Sequence, residues 1–349
     1  MLKENIKNLI KDGTVIPAHP LALTADRKLD EENQRLLTRY YMASGAGGVA
    51  VGVHSTQFEI RNEDVQLFEP VLRLAREEVD RAQLQRPFAM VAGIVGPTDQ
   101  ALREAELAAS LDYDYGLLSM GGLQDYSYDE LIDRARQVGE ILPIFGFYLQ
   151  PAVGGQLLPF EFWKDFAEIP SVHAIKIAPF NRYQTIDVVR AVVSSSRWEE
   201  ISLYTGNDDN IIADLLTEYA FTVDGVERRK RIVGGLLGHW AVWTSKAVEL
   251  LEEIKAILQR NQGIPAEMLT RNIEVTDANA VVFDVAHNFE GCIPGIHEVL
   301  RRQGLMKGIW CLNPEEVLSP GQSEELDRIA RQYPDMHDDA FVKKFLEQQ

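Results

Sequence analysis

Residues Pro143–Ala178 read PIFGFYLQPAVGGQLLPFEFWKDFAEIPSVHAIKIA. The stretch opens on one apolar run of strand length, Pro143–Tyr148, and closes on another, Ala174–Ala178. Between them Phe160–Glu168 carries apolar residues at helical spacing. Strand, helix and strand in that order call for parallel pairing. In the closing run Ile175 and Ile177 fall on one face, and Ala174, Lys176 and Ala178 on the other. A charged amine in so apolar a strand is costly unless its surroundings neutralise it or put it to use. Small neighbours leave that amine room.

The same alternation extends in both directions. Short apolar runs occur at Thr14–Ala18, Gly48–Gly52, Phe88–Val95, Gly116–Met120, Ile201–Thr205 and Arg231–Leu236 as well. Segments with helical spacing separate them, among them Asp30–Ser44, Asp99–Ser110, Tyr128–Glu140, Ile186–Ser195 and Asn210–Glu218. Eight strand–helix units predict an α/β fold, a closed (β/α)8 TIM barrel, over residues 1–245. The glycine-rich turn of a dinucleotide-binding open sheet is missing, since His19-Pro20-Leu21 follows the first strand. Inward parity assigns Ala50, Gly52, Gly146, Tyr148, Ser202, Tyr204 and Gly206 to the barrel interior. Val49, Val51, Phe145, Phe147, Ile201 and Leu203 then pack against outer helices. Trp240–Leu258 reads as one helix. Residues 246–349 form a helical C-terminal extension, broken by Pro294, Pro314, Pro320 and Pro334.

The 349 residues carry a formal net charge of −18, which argues against an extended nucleic-acid or anionic-membrane surface. Cys292 and Cys311 are the only cysteines, too few for a disulfide scaffold or a thiolate-only zinc site. Reduced structural thiols in a cytoplasmic protein are expected. The N-terminus lacks an apolar signal-peptide centre. The longest uncharged stretch, Ile141–Phe160, is interrupted by prolines and glycines, so no membrane span is expected.

In a barrel the reacting groups lie at the C-terminal ends of the strands. That position retains His19, His54-Ser55-Thr56, Tyr148, Lys176, Gly206-Asn207-Asp208-Asp209 and the Gly234-Gly235-Leu-Leu-Gly238-His239 turn. A desolvated lysine is a nucleophile toward a ketone, and its protonated imine is an electron sink. A phenol such as Tyr148 can relay a proton. Ser55 and Thr56 offer hydroxyl and backbone donors to a carboxylate.

Tyr148-Leu-Gln-Pro151-Ala-Val-Gly-Gly155 followed by Ala174-Ile175-Lys176 resembles the tyrosine and lysine motifs of the dihydrodipicolinate synthase / N-acetylneuraminate lyase family. Pro17-Ala18 with Leu29-Asp30-Glu31-Glu32, Gly45–Gly52, Thr205–Asp208, and Leu300–Leu305 with Pro314 and Leu318-Ser319 resemble further segments of it in the same order. The resemblance implies a Schiff-base lyase or aldolase acting on a 2-oxo acid of the pyruvate type. Lys176 would form the imine without a cofactor or metal, and Tyr148 would shuttle protons. Ser55 and Thr56 would bind the carboxylate, with His54, Gly206, Asn207, Asp208 and His239 around the rest of the substrate. A homo-oligomer, dimer or tetramer, is implied, with Tyr126 as the stand-in for a tyrosine that reaches a neighbouring subunit.

Three departures are visible. The family's compact Gly-(Ser/Thr)-Thr-Gly-Glu turn appears as Gly52-Val-His-Ser-Thr-Gln-Phe-Glu59, so Glu59 plays the glutamate's part after a shift or that part is absent. Val153 replaces the arginine of the synthase subgroup. Ser119–Tyr126 lacks the usual proline–tyrosine pattern. Three other readings compete: a metal-dependent hydrolase using His19, His54, His239, Asp208 and Asp209; a phosphate site at Gly234-Gly235 and Gly238; and a catalytically altered keto-acid binder.

Overall fold

In the computed structural model, which describes residues 2–349, the apolar runs become parallel strands. They are β1 (Val15–Pro17), β2 (Gly48–Val51), β3 (Ala89–Ile94), β4 (Tyr115–Ser119), β5 (Ile144–Tyr148), β6 (Val172–Ile177) and β7 (Ser202–Thr205), completed by the second half of the longer β9. Residues 218–237 are a hairpin, β8 (Glu218–Val223) and β9 (Val226–Leu237), whose outer half is antiparallel. Its inner half pairs with β7 on one side and β1 on the other. A single parallel bridge, Ala18 to Ala50, joins β1 to β2 and brings the barrel round.

Helices alternate with the strands as their spacing predicts. Between β1 and β7 run α2 (Glu31–Ala43), α3 (Phe68–Ala82), α4 (Thr98–Ser110), α5 (Tyr128–Ile141), α6 (Phe160–Ala167) and α7 (Arg182–Ser194), with α8 (Ile211–Leu216) after β7. Asp30 caps α2 by accepting the Asn33 N–H, as the sequence signal requires. Ahead of the barrel, α1 (Glu4–Asp12) buries Ile6 and Ile10 among the inward residues. Tyr204 anchors it from within by donating its hydroxyl to the Ile10 carbonyl at 3.0 Å. The N-terminal end of the barrel is closed by this helix.

Two separate cores follow from period-two alternation. Val49, Val51, Ile175, Ile177 and Leu203 pack outward with the helices. Ala50, Ala174, Ala178 and Tyr204 face inward. The expected parity fails on β5, where Phe145 and Phe147 point inward and Tyr148 outward. β5 itself alternates without a break, Ile144 and Tyr148 outward and Phe145 and Phe147 inward, and Phe147 pairs with the inward Lys176. The register irregularity falls on β6, where Val172 and Ala174 face opposite sides of the sheet. Gly146 then faces α6, where an added Cβ would lie 2.5 Å from the Phe166 ring. Glycine admits a helix rather than opening the interior.

Beyond β9 lie α9 (Thr244–Arg260), α10 (Glu267–Val282), α11 (Cys292–Arg302), α12 (Gln322–Gln332) and α13 (Asp339–Leu346). Trp240–Leu258 is not one helix. A short turn at His239–Ala241 ends at Trp243, which is left-handed at φ 51° and stacks on His337 at 4.7 Å. The Tyr40 hydroxyl oxygen accepts the Thr244 N–H at 2.8 Å, so α9 starts afresh there. Pro294 does not break a helix, because it sits in the first turn of α11, where no intrahelical donor is lost. No helix among the described residues is long and apolar enough to cross a membrane.

Candidate active site

Lys176 projects from β6 into the C-terminal half of the barrel and is only 8% exposed. Its aliphatic stem runs past Gly206, where a Cβ would lie 2.4 Å from Lys176 Cε. The amine stands 4.3 Å from the centre of the Phe147 ring. It lines a cavity shared with Asp208, Gly206, His54 and Ser55. Burial pulls the lysine down to about 8, against an opposing pull from the Asp208 charge. Among the described residues no carboxylate stands within ion-pair distance of it. The amine is therefore desolvated and free of a direct partner, the state in which a lysine is nucleophilic.

Asp208 follows β7 and is held from behind. Its Oδ1 accepts the His239 N–H at 3.0 Å, and its carbonyl accepts Asn279 Nδ2 at 2.7 Å. Burial raises its acid well above the usual carboxylate range, to about 7, partly offset by the His239 N–H and the Lys176 charge. His54 sits on the short helical turn His54–Thr56; burial first, and then the nearby Lys176 charge, draw its imidazole down to about 4. It is neutral at pH 7.

The other expected residues divide sharply. Ser55 lines the cavity and donates its hydroxyl to the Ala18 carbonyl at 2.9 Å. Thr56 does not line it. Its hydroxyl donates to His19 O at 2.7 Å and accepts the N–H groups of Gly52 and Val53 at 3.0 and 3.2 Å, so it ties the turn together. Asn207 is a loop brace: Nδ2 donates to Asp214 at 2.9 Å and Oδ1 accepts the Phe180 N–H at 3.2 Å. The His239 ring turns toward Trp243, 5.7 Å between centroids, and only its backbone serves Asp208. Tyr148 packs on Trp163 at 5.0 Å, its hydroxyl 3.4 Å from the Leu158 carbonyl, outside the cavity. Tyr126 lies in the β4–α5 turn, also outside it. Glu59 borders an outer groove with Glu316 rather than the lysine.

Much of the wall was not foreseen. Phe147, Phe180, Phe283, Phe289 and Ile296 line the cavity, the last three contributed by the C-terminal helices and their connection. Only Phe147 carried a usable signal, its alternation with Phe145, and that was read on the wrong face.

The metal constellation does not assemble. Both His19 ring nitrogens are engaged, Nδ1 with the Pro20 carbonyl and Nε2 with Thr38 at 2.9 Å. Among the described residues no three His, Cys, Asp or Glu side chains group as metal ligands. Gly234 and Gly235 lie within β9 rather than in a turn, and the space beside them is filled by packing, since a Cβ would meet Thr14 O at 2.6 Å or the Trp240 ring at 2.6 Å.

No family model matches the sequence. The curated N-acetylneuraminate lyase of Citrobacter koseri is 24% identical over 209 residues, 58% of this chain. That match spans 65% of the relative's own length, short of two thirds. The dihydrodipicolinate synthase of Oceanobacillus iheyensis superposes with a TM-score of 0.73 at 17% identity, covering 95% of this chain and 99% of that one. YagE, a prophage protein of E. coli K12 belonging to the dihydrodipicolinic acid synthase family and solved with pyruvate, gives 0.72 at 18%, covering 92% and 98%. The N-acetylneuraminate lyase of Fusobacterium nucleatum complexed with pyruvate gives 0.69 at 14%, covering 94% and 99%. The resemblance read from the motifs is borne out in the fold: a TIM barrel with C-terminal helices, built as in these proteins.

Proposed function

We propose that this chain, which has the fold of the dihydrodipicolinate synthase / N-acetylneuraminate lyase family, belongs to that family and acts as a Schiff-base lyase or aldolase on a 2-oxo acid. The observation that carries the reading is Lys176: a buried, unpaired amine facing a cavity at the C-terminal end of a barrel. Such an amine attacks a ketone carbon, and loss of water leaves an iminium that withdraws electrons from the adjacent carbon. That carbon can then lose a proton, or release or accept an aldehyde. No cofactor is needed for these steps. Two of the structural relatives were solved with pyruvate, which supports pyruvate as the common fragment. The Ser55 turn and Asp208 border the space where such a fragment would sit. A homo-oligomer with Tyr126 at a subunit contact belongs to the same proposal.

The test is reductive trapping. Protein incubated with pyruvate and borohydride should gain the mass of one reduced pyruvate on Lys176, and Lys176→Ala should gain none. An unmodified Lys176 would remove pyruvate-type imine chemistry from consideration. A second reading, a keto-acid-binding barrel without turnover, is favoured by Tyr148, whose phenol is turned out of the cavity. Trapping without any proton exchange or aldehyde release would support that binder.

A further inference from the structure

An imine without a proton carrier is a dead end. Carbinolamine dehydration needs an acid at the departing oxygen, and enamine formation needs a base at the carbon beside the imine. The Tyr148 phenol is occupied outside the barrel, with Leu158 behind it and Trp163 across it. Four titratable side chains line the cavity: Lys176, His54, Cys292 and Asp208. Burial pushes the Cys292 thiol far up, which leaves it a poor base. His54 is drawn down, which leaves its conjugate acid scarce at neutral pH. It also reaches the outer groove and packs edge-on to Phe58 at 5.9 Å.

Asp208 differs from both. It is 8% exposed, and one oxygen is fixed by the His239 N–H at 3.0 Å. Among the described residues no side chain donates to its other oxygen. It lines the same cavity as the lysine, and the two make no ion pair. We infer that Asp208 is the catalytic acid and base of this cavity, serving the imine of Lys176 where no phenol reaches. The inference rests on the Schiff-base reading above.

One proton held by the pair suffices. The reactive form is neutral amine with carboxylic acid, the tautomer of ammonium with carboxylate. Burial moves both groups toward that neutral form, the amine downward and the acid upward. The amine adds to the ketone carbon, and its surplus proton passes to the oxygen to give a carbinolamine. Asp208 protonates that hydroxyl, the C–O bond breaks with its electron pair on oxygen, and water leaves as the nitrogen lone pair forms C=N. The resulting carboxylate takes a proton from the neighbouring methyl. The C–H electrons become C=C, the C=N electrons return to nitrogen, and a neutral enamine stands beside a carboxylic acid again. If an aldehyde is present, the enamine carbon bonds to it and the Asp208 proton goes to the new alkoxide.

The experiment follows exchange of the pyruvate methyl hydrogens with deuterated solvent, alongside borohydride trapping on the same samples. Wild type should trap and exchange. Asp208→Asn, whose amide oxygen can still accept the His239 N–H, should trap at long incubation, which proves a folded pocket, while exchange falls by about 100-fold or more. Tyr148→Phe should exchange within a few fold of wild type. Formate added to Asp208→Ala should restore part of the exchange. Exchange within a few fold of wild type in Asp208→Asn would overturn the assignment. So would a loss confined to Tyr148→Phe or to His54→Gln. Wild-type protein that traps nothing defeats the Schiff-base reading itself, an outcome distinct from trapping with unaltered exchange.

Discussion

The Lys176 amine rests against the face of Phe147, the residue beside the tyrosine of the sequence motif, at 4.3 Å from the ring centre. An aromatic face favours the ammonium form by about 1 kcal/mol at such sites, so the ring opposes the desolvation that frees the amine. Phe147→Leu keeps an apolar wall and removes that face. The pH at which adduct formation with pyruvate reaches half its maximum should move down by less than one unit, read from trapping rates at several pH values. Movement upward would show that the ring acts by excluding water instead.

Acid sensitivity follows from three buried imidazoles. Burial lowers His19, His239 and His297 from 6.5 to about 4. The unfolded chain therefore binds more protons than the folded one between those values. Stability is fully present above pH 6.5 and is lost as pH falls toward 4, by roughly 3 kcal/mol for each ring. His54, also drawn to about 4, adds to the same side, whereas Asp208, raised from 3.8 to about 7, works in the opposite sense together with Asp114, Asp209 and Glu316, whose acids burial also raises. Urea midpoints should fall steeply from pH 7 to pH 5. A flat profile would mean that these rings reach solvent.

The barrel was legible because each strand run is short, apolar and followed by helical spacing, and no tertiary contact has to be known to see it. Lys176 was legible for the same reason, through Ala174 and Ala178 beside it. Tyr148 was not. Alternation puts Phe145 and Phe147 on one face and Tyr148 on the other, but it does not say which face is inward; the pairing of Phe147 with Lys176 decides that. The β8–β9 hairpin did leave a signal: Asp224-Gly225 between alternating runs, both with positive φ, at 50° and 77°. Thr56 shows a different limit. Its residue type fits carboxylate binding, yet its hydroxyl is consumed by the backbone of its own turn and of β1.

Thr56→Val tests that division. The isosteric change strands the Gly52 and Val53 N–H groups in a buried turn and removes one of the two hydroxyls that reach the His19 carbonyl, at a cost of roughly 1–3 kcal/mol. Urea denaturation should register that loss, whereas Thr56→Ser should stay near wild type. Unchanged stability with weakened pyruvate capture would instead put the hydroxyl on the substrate.

Gly206 governs whether the lysine can reach its working position. A methyl there would stand 2.4 Å from Lys176 Cε and 2.7 Å from the Ala178 Cβ. Ala178 is pinned to β5 by its N–H bond to the Tyr148 carbonyl at 3.0 Å, so the lysine stem must yield. Displacement of a reacting group by about an ångström can cost on the order of 100-fold in rate. Gly206→Ala should therefore slow adduct formation at least tenfold, read from trapping time courses, with the barrel still folded by circular dichroism. Adding Ala178→Gly clears one of the two contacts and should restore part of the rate. If Gly206→Ala traps pyruvate as fast as wild type, the amine does not use the path along β7, and its approach to the ketone must come from the Phe147 side.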